Sequence, residues 1–179
     1  MKKDNTAIIC LSPNSGGMEI NSIKLSQKLS PFAKTILVAK KNGYIDTTVQ
    51  ANDREKFQVE TINFKSSVSF SMYKRMKEII QKHDIKNVIF FGASELKSLY
   101  FSFLGHDINL IIIHSTTKST PKKDWFHKLI YSKVNYHVTI CDHLYNNIQS
   151  IIPFGKKSQA KTIYTSFEIK PITPYKHDT

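Results

Sequence analysis

Residues 7–30, AIICL-SPNSGGME-INSIKLSQKLS, decide the fold. The apolar run at 7–11 predicts a buried strand, and the helical spacing of apolar and small residues over 18–29 predicts a helix. Pro31 ends that helix, because proline lacks an N–H and clashes with the preceding turn. Between strand and helix, Gly16-Gly17 brings bare backbone N–H groups to a helix N-terminus, where α/β proteins bind phosphate. The stretch therefore predicts one edge of a nucleotide or phosphate site.

The same alternation of strand and helix continues along the chain. Further strands are predicted at residues 35–39, 57–64, 88–91, 110–113, 137–141 and 161–165. Strands that are apolar throughout are covered on both faces. The sequence thus predicts an α/β fold, a Rossmann-like doubly wound parallel sheet of about six to seven strands. Residues 1–168 are assigned to this domain, and residues 169–179 to a linker toward an absent second domain.

Capping residues predict where three of the helices begin. Ser94 is a candidate N-cap after the strand at 88–91, and Pro121 suits the first turn of the helix that carries Trp125. Asp142 is the candidate cap of the helix after the strand at 137–141.

Charge is the strongest compositional signal. Lys and Arg total 26 against 14 Asp and Glu, a formal net charge of +12. Such a field favours anionic partners: nucleic acid, anionic lipid head groups or phosphorylated small molecules, although solvated helix faces explain it equally well. Cys10 and Cys141 form no disulfide framework, and the early apolar run is too short for a signal peptide, which together indicate a reduced cytoplasmic protein.

Common cofactor and hydrolase motifs are incomplete. The glycine fingerprint for NAD fails at Met18 and Asn21, although Lys40 and Lys41 could accept the extra phosphate of NADP. A Walker loop at Gly155-Lys156-Lys157-Ser158 is excluded because Ser150 stands in place of its first glycine.

A nucleophile elbow around Ser94 is disfavoured because Leu96 replaces the closing glycine.

His114 and a cluster of His137, Cys141 and His143 are candidate site residues. His114 ends an apolar strand, where an imidazole can orient a hydroxyl or phosphate, or can be satisfied by loop carbonyls. His137, Cys141 and His143 suggest a metal site, but no fourth ligand is nearby, so we disfavour zinc.

Residues 118–133 interleave lysines with aromatic side chains, including Lys118, Lys122, Lys123 and Trp125. Such a stretch suits a membrane–water interface and also single-stranded nucleic acid. The interpretation we rank first is an ordinary amphipathic helix with its aromatics in the core.

Taken together, the segments resemble the N-terminal lobe of a GT-B glycosyltransferase of the family 4 type, from residue 7 to about residue 168. The resemblance lies in the Gly16-Gly17-Met18-Glu19 turn after the first strand, the strand that ends in His114, and the 137–142 strand that turns into a helix. Residues 163–168, IYTSFE, are similar to the closing segment of that family, except that Thr165 replaces its usual asparagine and carries no role.

The resemblance implies a retaining transfer of sugar, of the hexosyltransferase type, from a nucleotide-sugar co-substrate, with no other cofactor and no metal. Gly16 and Gly17 would approach the donor diphosphate, where helix N-terminal N–H groups stabilise the developing charge. Glu19 would cap the helix or contact a sugar hydroxyl, and His114, as the catalytic-site candidate, would contact the transferred sugar or the leaving phosphate.

The resemblance also implies partners. The lobe would bind a saccharide or lipid-linked acceptor, as in lipopolysaccharide or capsule biosynthesis, while the absent C-terminal domain would hold the donor, so the chain would not catalyse alone. Lys118, Lys122, Lys123 and Trp125 would contact the acceptor or the anionic inner membrane. Two alternatives stay open: a basic phospholigand or nucleic-acid-binding module, although nucleic acid is disfavoured, and an NADP-dependent oxidoreductase.

Overall fold

A computed structural model describes residues 4–49, 51–66, 68–92 and 94–164. The strands are β1 (Asn5–Cys10), β2 (Thr35–Lys40), β3 (Gln58–Ile62), β4 (Ile85–Phe91), β5 (Asn109–His114), β6 (Val134–Thr139) and β7 (Gln159–Thr162). The helices are α1 (Gly17–Leu29), α2 (Tyr44–Thr48), α3 (Ala51–Lys56), α4 (Phe70–His83), α5 (Leu96–Phe103), α6 (Trp125–Tyr131) and α7 (Asp142–Ile151). The predicted linker and most of the closing segment, from Thr165 onward, lie outside the described residues.

All seven strands form one parallel sheet in the order β3-β2-β1-β4-β5-β6-β7. The predicted α/β doubly wound sheet is therefore confirmed. The strand order reverses between β1 and β4, where connections leave toward opposite sides. In open α/β sheets this reversal opens a crevice at the carboxyl ends of the strands, the usual place for a ligand.

The sheet is buried on both faces, which explains why its central strands are apolar throughout. Ala7 and Ile9 of β1 belong to one core cluster, and the alternating Ile8 and Cys10 belong to the other. Helices α4 and α5 supply Met72, Met76, Leu99 and Phe103 to the first cluster. Helices α1 and α2 cover the second cluster with Met18, Ile23, Leu25, Leu29 and Ile45.

The predicted helix starts are wrong by one to four residues. Helix α6 begins at Trp125 and not near Pro121, because the Asp124 side chain accepts a hydrogen bond from the His127 N–H and so caps the helix there. At α5 the N-cap is Glu95 and not Ser94, and at α7 it is Cys141 and not Asp142, with no side-chain cap bond in either case.

Two short helices and two strand ends also differ from the prediction. Helices α2 and α3 occupy a segment in which the sequence shows no helical stripe. Strand β6 ends at Thr139, so Cys141 does not share a strand face with His137 as expected. Strand β7 ends at Thr162, before the predicted end at residue 165.

A cluster of charges joins α4 to the edge strand β3. Glu60 accepts bonds from Arg75, Lys82 and His83, each at 2.7 Å. Burial raises the pKa of Glu60, but the hydrogen bonds from Lys82 and His83 outweigh it and hold the pKa below its ordinary 4.5. The cluster stabilises the edge of the sheet farthest from β7 and has no part in the crevice.

Candidate active-site cleft

A cavity of about 220 Å³ lies at the carboxyl ends of β1, β4 and β5, where the strand order reverses. We call it the cleft. Its lining residues come from the loops that follow those strands and from the start of α1 and α5: Ser12, Met18, Phe91, Gly92, Ser94, Glu95, Ile113, His114, Ser115, Thr116 and Lys118. The structure thus brings the loops that contain the glycine turn, Ser94 and His114 to one place.

His114 lines the cleft but is almost entirely buried, with 2% of its surface exposed. Its Nε2 lies 3.0 Å from Nδ1 of the fully buried His137, and the two rings stack at 5.2 Å between centroids. The ring of Phe154 packs edge-on against His137 at 4.5 Å. The β5–β6 register sets His137 opposite Ile112, two residues before His114, so both imidazoles share one face of the sheet.

Both imidazoles are neutral at physiological pH. Burial lowers the pKa of His114 to about 2, with smaller contributions from His137 and Lys118. Burial, followed by the charge of Lys118, lowers the pKa of His137 to about 4. A neutral imidazole has one N–H and one bare nitrogen. His114 is therefore suited to give or take one hydrogen bond and not to carry a positive charge.

The outer nitrogens of the pair have no hydrogen-bond partner among the described residues. These atoms are Nδ1 of His114 and Nε2 of His137, both buried. If His137 Nδ1–H donates to His114 Nε2, then His114 Nδ1 carries a proton and is a donor. In the opposite tautomer it is an acceptor. His137 thus fixes what His114 offers, a role that the sequence did not reveal.

Lys118 supplies the cation of the cleft. Burial lowers its pKa, with a smaller contribution from the charge of Lys122. The side-chain amide of Asn147 on α7 forms two hydrogen bonds with the Lys118 backbone. It donates to the carbonyl and accepts from the N–H, at 2.9 Å each. A partly buried cation held in this way attracts phosphate or carboxylate more strongly than a solvated one.

The glycine turn stands beside the cleft, next to the lining residue Met18. No side chain caps α1, whose N-cap Gly16 has an extended backbone. Glu19 is buried, and its Oε2 occupies the space beside Gly16, 2.9 Å from where a Cβ would stand. Gly17 has nothing within 4 Å of the corresponding position. The assignments of Gly16, Gly17 and Glu19 to the donor diphosphate and sugar stay predictions.

Cys10 lies near two carboxylates but is not a nucleophile. Burial first, and the charges of Glu19 and Glu95 in addition, raise the pKa of its thiol to about 11. Glu95 lines the cleft and was not singled out from the sequence, although an acid just after a strand and a glycine is a usable signal.

The basic–aromatic stretch divides between two places. Lys118 lines the cleft, whereas Lys122, Lys123 and Trp125 do not. Trp125 is 76% exposed while Tyr131 of the same helix is buried, so the expectation that the aromatics lie in the core is wrong for Trp125. Contact of these residues with an acceptor or a membrane stays a prediction.

Within the described ranges, no group of three or more His, Cys, Asp or Glu is placed to hold a metal ion. No helix in the same ranges is long and apolar enough to cross a bilayer.

No protein-family model matches the sequence, and no curated protein matches it. Solved structures do match the fold. HepE from Anabaena, solved in complex with UDP, superposes with a TM-score of 0.66 at 14% identity, over 93% of this chain and 45% of that one. The lipopolysaccharide outer core galactosyltransferase WaaB gives 0.60 at 13% identity, over 94% and 47%. MurG from Acinetobacter baumannii gives 0.55 at 9% identity, over 76% and 41%.

The chain has the fold of one lobe of a GT-B glycosyltransferase. It spans less than half the length of each of these three structures. The resemblance inferred from the sequence is thereby confirmed at the level of the fold.

Proposed function

We propose that this chain is the acceptor-binding N-terminal lobe of a retaining glycosyltransferase of the hexosyltransferase type. The observation that carries the proposal is the cleft at the strand-order reversal of a GT-B-like lobe, where neutral His114 and partly buried Lys118 meet beside an uncapped helix N-terminus. The co-substrate is a nucleotide-sugar, and no further cofactor takes part. The matched HepE structure contains UDP, which supports a donor of that kind.

In this proposal each residue of the cleft has one task. The backbone N–H groups after Gly16 stabilise the diphosphate as its negative charge grows, without any movement at the moment of reaction. Lys118, which lines the cleft, adds a positive charge. His114, oriented by His137, forms a hydrogen bond to the transferred sugar or the leaving phosphate. A neutral imidazole does this over a wide pH range.

The acceptor is a saccharide or a lipid-linked glycan of a bacterial cell surface, such as lipopolysaccharide or capsule, and the protein works at the cytoplasmic side of the inner membrane. The matched WaaB is a lipopolysaccharide outer core galactosyltransferase, which supports this class of acceptor. Most of the donor-binding contacts belong to a C-terminal lobe, so transfer requires both lobes.

A transfer assay tests this division of labour. The 179 residues alone, incubated with radiolabelled UDP-glucose and bacterial membranes, transfer no sugar, because the second lobe supplies most of the contacts that hold the donor for reaction. Transfer appears when a C-terminal GT-B lobe is joined to the chain. Transfer by the 179 residues alone would contradict the proposal, and so would inactivity of the joined protein with every nucleotide-sugar tried.

Two alternative functions remain: a nucleic-acid-binding module that would use the basic surface, and an NADP-dependent oxidoreductase that would use Lys40 and Lys41 for the extra phosphate. Lys40 ends β2 and Lys41 follows it, but the Lys40 ammonium lies over the Phe64 ring, 4.8 Å from its centroid. Neither alternative gains a specific observation from the cleft.

A further inference from the structure

A second opening, larger than the cleft, lies on the outer side of α4 and α5. This groove has a volume of about 860 Å³ and is lined by Val68, Ser69, Phe70, Tyr73, Lys77, Lys97, Ser98, Phe101, Leu104, Gly105 and Phe126. Four of its apolar side chains are exposed: Phe70 (77%), Val68 (69%), Phe101 (46%) and Leu104 (41%). Apolar side chains gathered in this way on a surface mark a contact with a partner or a membrane.

The charged side chains that line the groove are both lysines. Lys77 and Lys97 line it, and no Asp or Glu is among its described lining residues. On the side of the groove formed by α6, Phe126 packs edge-on against the exposed Trp125, with 5.8 Å between ring centroids. Through Phe126 the groove is therefore continuous with the basic–aromatic stretch that contains Lys122 and Lys123. Exposed aromatic residues flanked by lysines suit the boundary between acyl chains and anionic head groups.

The groove is separate from the cleft but adjacent to it. Ser94 and Glu95, just before α5, line the cleft, whereas Lys97 and Ser98 in the first turn of α5 line the groove. From there the groove follows α5 to Leu104 and Gly105, past its last turn. It thus runs along the side of the sheet, away from the carboxyl edge that a second lobe would face.

We infer that this groove docks the protein on an anionic lipid bilayer. Val68, Phe70 and Phe101 enter the acyl-chain boundary, while Lys77 and Lys97 contact head-group phosphates. A second copy of the chain is disfavoured as the occupant, because pairing the grooves would bring together four lysines on chains that each carry a formal charge of +12. Docking in this orientation holds the cleft beside the membrane surface. The inference does not require that the chain transfer sugar.

Co-sedimentation of the full chain with lipid vesicles tests the inference. The protein sediments with mixed phosphatidylcholine–phosphatidylglycerol vesicles, and binding to phosphatidylcholine alone is much weaker. Replacing Phe70 by serine lowers the partition coefficient roughly tenfold, since one large exposed apolar side chain no longer enters the lipid. The double variant Lys77→Gln/Lys97→Gln lowers it roughly twenty-fivefold, at about fivefold for each lysine.

Matched controls come from the opposite face of the sheet. Phe32, next to the end of α1, is 73% exposed, almost as much as Phe70. Lys24 lies on α1 and is also exposed. Phe32→Ser and Lys24→Gln bind anionic vesicles as the unmodified chain does. Phe101→Ser is a second groove variant in case Phe70→Ser, which loses a contact between the Phe70 and Tyr73 rings, does not fold.

Three results would overturn the inference. One is equal binding to neutral and anionic vesicles; another is groove variants that bind as well as the controls. The third is a chain that does not bind vesicles but self-associates in sedimentation velocity, and whose Phe70→Ser variant does not self-associate. That result would make a second copy of the chain the occupant of the groove. The vesicle and sedimentation assays do not measure sugar transfer, so their results can be interpreted even if the proposed function is wrong. Likewise, the transfer assay can be interpreted even if the groove does not bind lipid.

Discussion

Lowering the pH from 7 to 5 destabilises the folded protein by about 4 kcal/mol through His114 and His137 alone. Burial keeps both folded-state pKa values far below the ordinary 6.5, at about 2 and about 4. Below pH 6.5 the unfolded chain therefore takes up two protons that the folded protein refuses, and stability falls as the pH falls. At pH 5 each histidine contributes about 2 kcal/mol, from 1.5 pH units at about 1.36 kcal/mol each.

Urea unfolding at pH 7 and pH 5 measures this loss directly. The double variant His114→Gln/His137→Phe loses most of the pH dependence in this window, whatever its stability at pH 7. Glu60 is not a competing cause, because its pKa is already below 4.5 and it acts only at lower pH. An unfolding free energy that stays constant from pH 7 to 5 would mean that the imidazole pair is solvated.

Replacing Gly92 by alanine costs about 3 kcal/mol or more of stability and deforms the cleft. Gly92 follows β4 with φ +157, and an added Cβ would meet the ring of Phe90 at 2.7 Å. Phe90 is fully buried, so the ring cannot move aside. The backbone must shift instead, and it carries the cleft residues Ser94 and Glu95 with it.

Urea unfolding of variants at two other glycines separates the two causes, which are backbone strain and the contact of the added Cβ with Phe90. Gly105 has φ +79 but nothing within 4 Å of its Cβ position. Gly105→Ala is therefore destabilised only by backbone strain, by about 1–2 kcal/mol. Gly17 has neither problem and lies in the first turn of α1, so Gly17→Ala is neutral or slightly stabilising. Equal costs for the Gly92 and Gly105 variants would refute the contact with Phe90 as the cause.

The parallel sheet was predictable because its central strands are buried on both faces and leave an unbroken apolar run in the sequence. The run at residues 7–11 is the plainest case: each of its members is buried. Helices α2 and α3 were not predictable, since they are five and six residues long and too short to show an apolar stripe. The start of α6 was misplaced because Pro121 and Asp124 are both good N-terminal residues, and only the bond to His127 decides between them.

The cleft was predictable as a set of loops but not as a set of contacts. Ligand sites follow the carboxyl ends of parallel strands, which directed attention to His114. Its partner His137 depends on the β5–β6 register, and that register shifts between Leu110 and Ile111. No pattern within a single strand reports such a shift. The groove on α4 and α5 was missed for a similar reason, because its residues are gathered from three separate helices.

Amide chemical shifts of the isotope-labelled protein, recorded during titration with UDP-glucose, test the central claim most directly. The account predicts millimolar binding, with shifts confined to the glycine turn at residues 16–18 and to the cleft residues 94–95 and 114–118. NADPH and a single-stranded oligonucleotide produce smaller and more scattered shifts. If UDP-glucose leaves these amides unmoved while NADPH or the oligonucleotide shifts them strongly, the cleft does not belong to a sugar-nucleotide transferase.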